Sequence, residues 1–160
     1  MPPRDAPAAG VLPEQPSAAR ARGVGQRYAT ATGEVMALDD VDVDVAPRNI
    51  TVAAGPSGSG KSTLLRLIAG LDTPTSGHIW VGDDELTALS ARARRRLRRR
   101  RIAFVWQAPA DNLLGYLTVR EQLELAADLR GVPPDDALEV LELLGLGDRL
   151  SDHPDHLSGG

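Results

Sequence analysis

The 160-residue sequence has no cysteine, a single lysine, and no apolar run approaching the roughly 18 residues that cross a bilayer. Without cysteine there are no disulfides and no thiolate metal sites, which fits a reducing, cytosolic compartment. Without a long apolar run, any work at a membrane goes through a partner. The first twenty residues carry prolines, Asp5 and Glu14 but no apolar segment, so a signal peptide is not expected. An excess of basic charge is missing too. The net charge is −4, which provides no global field for nucleic acid. The length suits one sizeable core and is short for two.

The lone lysine is Lys61, and the other 17 of the 18 basic residues are arginine. Where a cation merely has to be present, this sequence uses arginine; at position 61 it keeps the compact ammonium. Lys61 falls within Gly55-Pro56-Ser57-Gly58-Ser59-Gly60-Lys61-Ser62-Thr63, which matches the phosphate-loop pattern G-x-x-x-x-G-K-[ST]. Ile50–Ala54 reads as a short buried strand entering the loop, and Leu64–Ala69 reads as an apolar helix leaving it. Gly55, Gly58 and Gly60 let the backbone turn tightly and approach an oxyanion. Successive N–H groups then face a helix N-terminus, where partial positive charge favours phosphate. Lys61 reaches the β- and γ-phosphates in this reading, and the Ser62 hydroxyl ligates Mg²⁺. Thr63 is placed to bond near the α-phosphate. The alternative, a glycine-rich turn without a ligand, leaves the strand–loop–helix order unexplained.

Along the chain, residues 1–22 are rich in proline and alanine and read as a disordered tail. Order is expected from Gly23. Val24–Tyr28 and Met36–Leu38 are candidate strands. Val41-Asp42-Val43-Asp44-Val45 alternates strictly, the pattern of a half-exposed antiparallel strand. Asp72–Gly77 is a turn, and His78–Val81 is a short strand in which His78 is simply exposed. Eight arginines lie between Arg92 and Arg101. They read as a solvated helix or turn rather than a nucleic-acid or anionic-lipid patch, since no aromatics are interleaved for base stacking. Ile102–Trp106 is a continuous apolar run, the pattern of a strand buried on both faces, and it ends on Gln107. Beyond it the character turns helical. Thr118-Val119-Arg120-Glu121 has capping-box spacing for a helix that stops at Gly131. Leu138, Leu141 and Leu144 mark a second amphipathic helix ending near Gly145.

With these features in order, the chain resembles the nucleotide-binding domain of ABC transporters over residues 23–160. Tyr28 sits where that family has an aromatic residue stacking on adenine, residues 55–62 match the Walker A motif, and Gln107 ends a strand at the Q-loop position. Leu157-Ser158-Gly159-Gly160 matches the start of the signature motif. The resemblance implies an α/β P-loop fold of ABC type, with an antiparallel β-subdomain, a RecA-like core and a helical subdomain. Residues 23–107 would hold the β-subdomain and part of the core, 108–157 the helical subdomain, and 157–160 the start of the signature. It implies ATP and Mg²⁺ as cofactors. Tyr28, Gly55, Ser57, Gly58, Ser59, Gly60, Lys61, Ser62 and Thr63 would hold nucleotide, Ser62 and Gln107 the metal, and Lys61 and Gln107 would act in catalysis. Ser158, Gly159 and Gly160 would reach the γ-phosphate of a second protomer, in an ATP-dependent head-to-tail dimer with itself or a paralogue.

A transmembrane permease is the implied partner, with the chain peripheral on the inner face of the plasma membrane; no nucleic-acid partner is expected. Gly70–Gly77 and Asn112-Leu113-Leu114 followed by Leu117–Glu121 resemble the lipoprotein-releasing and macrolide-exporter branch. The chain departs from the family at Pro47-Arg48-Asn49, where Pro-Gly-Glu is common, and at Trp106, where phenylalanine is usual. It holds no Walker B strand, catalytic glutamate or switch histidine, so it reads as an N-terminal portion with very slow hydrolysis alone. The strands at 50–54 and 102–106 are then expected to present bare edges, making the piece prone to aggregate.

Three other functions compete. An ABC-type DNA-repair ATPase would have long coiled-coil arms between Gln107 and Leu157, and heptads are not sustained there. A non-catalytic nucleotide-binding remnant or regulatory module is what the chain end would literally imply. A phosphate-loop kinase or GTPase gives no reason for pairing Gln107 with Leu157–Gly160.

Overall fold

Alternation along Val41–Val45 becomes the end of a long antiparallel ribbon. The computed structural model describes residues 17–31 and 33–157, in two units meeting between Arg94 and Arg95. In the first unit, β1 (Ala19–Thr30) pairs antiparallel with β2 (Gly33–Val45), and β1 also pairs antiparallel with β3 (Ser76–Val81). A two-residue β4 (Asp84–Glu85) completes a sheet of order β2-β1-β3-β4. Val41, Val43 and Val45 are half-buried while Asp42 and Asp44 face solvent, as the alternation predicts.

Order begins earlier than Gly23. Residues 17–22, expected in the tail, are described; β1 starts at Ala19, and Ala19 and Ala21 are buried. Their small side chains fit beneath neighbours on both sides, opposite Val45 and Val43 on β2 and Val81 and Ile79 on β3. Arg22 adds a bidentate grip on Asp44, its Nη2 donating at 2.9 and 2.7 Å. The register slips between Ala21 and Arg27, where Gly23 and Asp40 both have positive φ and the Gly23 amide donates to Asp42. This is a bulged, strongly twisted ribbon.

Helix α1 (Lys61–Ile68) buries Leu67 against the sheet, in a cluster with Ile79 and Leu86. Covering a leucine this fully contributes roughly 1.5–3 kcal/mol. The end of α1 is tied to the next turn: Arg66 Nε donates to Asp72 at 2.7 Å and Nη2 at 3.2 Å. Helix α2 (Ala91–Arg101) contains all eight arginines of the basic run and buries only Leu97.

The second unit, from Arg95, contains α3 (Val119–Arg130) and α4 (Asp135–Leu143). The capping box forms as spaced: Thr118 accepts from the Glu121 amide, and Glu121 accepts from the Thr118 amide. The next two amides, of Val119 and Arg120, donate to the carbonyls of Asp152 and Leu150 at 3.0 Å each. The first turn of α3 is thereby satisfied by its cap and by the segment leading to Leu157. Gly131 closes α3 at φ 73°, and Gly145 turns the chain after α4 at φ 73°.

Two expected strands are not ladders here. Residues 50–54 and 102–106 carry no strand pairing among the described residues, and Ile50, Val52 and Val105 are 90%, 78% and 78% exposed. An apolar run specifies a strand only when a neighbouring backbone is there to pair with it. Residues 50–54 are exposed throughout, and within 102–106 Ile102 and Phe104 are half-buried while the others are exposed.

Candidate nucleotide-binding site

The loop from Gly55 to Gly60 follows the 50–54 segment and feeds α1. Gly58 and Gly60 take φ of 79° and 83°, the left-handed region that glycine enters at little cost. Gly60 is also sterically required: a Cβ there would meet Ala37 O at 2.5 Å and Leu38 Cδ2 at 2.8 Å. The loop is therefore seated on β2 at the point where α1 starts. Gly60 is the N-cap of α1, no side chain caps the helix, and no acidic residue occupies its first turn. The first N–H groups of an α-helix have no intrahelical partner, so this end is free of competition for an anion.

Lys61 curls back over the loop. Its Nζ donates to Gly55 O at 2.9 Å, Pro56 O at 2.6 Å and Ser59 Oγ at 3.3 Å. Those three oxygens hold the ammonium in the concavity and give the loop a net positive lining. Ser57, Ser59 and Ser62 are exposed and Thr63 is half-buried. Tyr28, near the end of β1 opposite Val35, is 38% exposed, so its ring is accessible for stacking. These residues all lie in the first unit.

Gln107 belongs to the second unit and is exposed. Its turn is held by a residue that sequence reading treated only as a branch marker. Asn112 Oδ1 accepts from the Trp106 amide at 2.6 Å, and its Nδ2 donates to the carbonyls of Trp106 and Ala108, both at 3.0 Å. Gln122 does similar work further on, accepting from the Leu114 amide at 2.9 Å and donating to Leu117 O at 3.3 Å. The sequence signal for Asn112 is an asparagine in a turn five residues beyond Gln107, where its amide can replace missing backbone partners. The expected signature residues Ser158, Gly159 and Gly160 lie outside the described residues.

The residues present suit a nucleoside polyphosphate. The glycine-lined loop, the uncapped helix start and the single ammonium all favour phosphate oxygens. A freestanding metal site is not built: no group of three His, Asp or Glu side chains among the described residues could hold one. Mg²⁺ would be held together with bound phosphates, and the exposed Ser62 hydroxyl is the group of this loop that could serve it.

Residues 38–160 match the family described as ABC transporter. The chain belongs to the ABC transporter family. It is 39% identical over 158 residues to the lipoprotein-releasing system ATP-binding protein LolD of Xanthomonas euvesicatoria pv. vesicatoria, covering 96% of this chain and 64% of that protein. It is 39% identical over 145 residues to the macrolide export ATP-binding/permease protein MacB 1/2 of Paracoccus denitrificans, covering 88% of this chain and 21% of that one. Among solved structures it is similar to the dimeric post-hydrolysis state of the ATP-binding cassette MJ0796 bound to ADP and Pi. There the TM-score is 0.77 at 32% identity, over 88% of this chain and 63% of that one. The fold is thus that of the ABC cassettes, and the chain spans less than two thirds of the length of these proteins. Its loop at 55–63 lies within the residues that match the family. No helix among the described residues is long and apolar enough to cross a membrane.

Proposed function

We propose that this ABC domain binds MgATP at residues 55–63 and that the protein it belongs to couples ATP binding and hydrolysis to transport through a permease, in export or lipoprotein release. The observation that carries the reading is the pairing of the Lys61 ammonium with an uncapped, acid-free helix start across a loop that only glycine can close at position 60. Bound nucleotide exchanges the carbonyl partners of Lys61 for β- and γ-phosphate oxygens, while the amides at the start of α1 receive the phosphate charge. Ser62 contributes its hydroxyl to Mg²⁺, Thr63 bonds toward the α-phosphate, and Tyr28 stacks on the base. Gln107, held by Asn112, serves the metal and the attacking water. Ser158, Gly159 and Gly160 act on the nucleotide of a partner copy.

ATP supplies the phosphoryl group whose charge Lys61 offsets as it transfers. The similarity to LolD and MacB, one lipoprotein-releasing and one macrolide-exporting, supports transport over DNA repair. Calorimetry of the chain with MgATP tests the binding step. Saturable binding that weakens at least about tenfold in Lys61→Ala is expected, since removing a charge-assisted contact costs about 1.5–3 kcal/mol. Equal affinity in that variant overturns the role of Lys61, and no binding to the wild-type chain overturns the site.

A further inference from the structure

Helix α2 contains no acidic residue, and its arginines are not evenly distributed around it. Arg95, Arg96, Arg99 and Arg100 are all exposed, and at about 100° per residue they cover an arc of about 140°. None of the four has a carboxylate partner among the described residues. A fifth guanidinium is brought to the same helix from α3, where Arg130 Nε donates to Arg99 O at 3.3 Å. The chain as a whole is acidic, at −4, so this is a local concentration of charge and not a reflection of composition.

Part of the run has a simple explanation. Arg98 to Arg101 occupy the last turn, where the helix dipole favours cations. Arg95 and Arg96 lie before that turn, and the i,i+4 pairs Arg95–Arg99 and Arg96–Arg100 are like-charge pairs that destabilise a helix. A face that repels itself and finds no carboxylate among the described residues is complementary to a surface of fixed negative charge.

We propose that the Arg95–Arg96–Arg99–Arg100 face docks onto the phosphate headgroups of an anionic bilayer. Guanidinium groups pair with phosphate through two parallel N–H bonds, and a planar headgroup layer meets one helical face without wrapping the acidic remainder of the chain. The face has no apolar or aromatic side chain, so it rests at headgroup level without inserting, and its hold is sensitive to salt. The same lack of aromatics disfavours single-stranded nucleic acid, which needs stacking platforms. The choice of a bilayer over other polyanions rests on the transport reading; the charge complementarity does not. ATP binding and membrane docking are read by separate assays, so either can fail alone.

The test is flotation of the full chain with phosphatidylcholine vesicles, with and without phosphatidylglycerol, in a density gradient where aggregates sink and vesicle-bound protein rises. The chain is expected to float only with phosphatidylglycerol and to be released by raised salt. Arg95→Gln/Arg96→Gln/Arg99→Gln/Arg100→Gln should lose about fivefold in partitioning per guanidinium removed. The matching four-lysine variant, which keeps the charge but not the two-point bonding, should still float with phosphatidylglycerol, more weakly than the wild type, even if glutamines disturb the helix. Equal flotation on both vesicles, or none on either, overturns the proposal. So does retention in the glutamine variant, or loss in the lysine variant. A mobility shift with single-stranded RNA in the absence of flotation reassigns the face to nucleic acid and overturns it as well.

Discussion

Asn112 holds both backbone groups of Trp106, accepting from its amide at 2.6 Å and donating to its carbonyl at 3.0 Å. A third bond reaches the Ala108 carbonyl, so one side chain spans the residues on either side of Gln107. The turn presenting Gln107 is therefore fixed by a side chain whose partners are backbone groups.

Asn112→Ala removes the acceptor for the Trp106 amide and the donor for the carbonyls of Trp106, Ala108 and Pro109. Exchange of the Trp106 amide should accelerate by about tenfold or more, since each lost net hydrogen bond contributes roughly 1 kcal/mol. Exchange in α3 should hold. Unchanged protection of the Trp106 amide would show that the clasp is dispensable.

Gly58 and Gly60 share a left-handed φ but differ in surroundings. A methyl group added at Gly58 would find nothing within 4 Å, whereas one at Gly60 would run into Ala37 O and Leu38 Cδ2. Gly58→Ala is expected to cost about 1 kcal/mol of strain, and Gly60→Ala about 1–3 kcal/mol more from overpacking. Urea midpoints of the two variants separate these terms. Equal midpoints would mean that β2 yields to the added methyl.

Arg48 has φ 56°, so the turn before the Walker A loop does require a left-handed residue at the position where this chain departs from the family's glycine. Arg48→Gly should stabilise by up to about 1 kcal/mol, the strain relieved exceeding the backbone entropy added. A lowered urea midpoint would count against strain at this turn.

The Arg66–Asp72 pair carries a pH dependence. The hydrogen bond from Arg66 holds the Asp72 carboxyl below its ordinary value of 3.8, with the Arg66 charge acting in the same direction against partial burial. A depressed folded pKa means that the contribution is complete above the unfolded value and is lost as pH falls through the folded one. Acid titration of stability below pH 3.8 should be steeper in the wild type than in Asp72→Asn, which has no carboxylate to protonate. The pair is partly exposed, so the difference will be modest and will shrink with salt. Superimposable acid limbs would remove the pair from the account.

What could be read from the sequence was what is local. Thr118 and Glu121 are three residues apart and cap the same helix end, Gly131 and Gly145 turn where their conformational freedom is needed, and Val41–Val45 shows its exposed face by alternation. The phosphate loop is legible for the same reason, since its glycines, lysine and helix start are contiguous. The start of β1 was hidden because alanine and arginine are weak strand formers, and their burial at 19–22 depends on partners at 41–45 and 78–81. The Asn112 clasp has no periodicity to announce it. The runs at 50–54 and 102–106 were read as buried strands from their composition, yet ladder formation depends on a second backbone that their own residues do not encode.

The outermost strand, β2, has a long outer edge, but Asp39, Asp40, Asp42 and Asp44 line it with carboxylates and Asp40 twists it out of regular geometry. Two copies meeting there would set like charges against each other. The segment Ile50–Ala54 has no charge and no such twist, and it shows its two large apolar side chains to water. Within the first unit, self-association is thus favoured more by these five residues than by the edge of the sheet. A single carboxylate introduced at Val52 should do more for solubility than any change along β2.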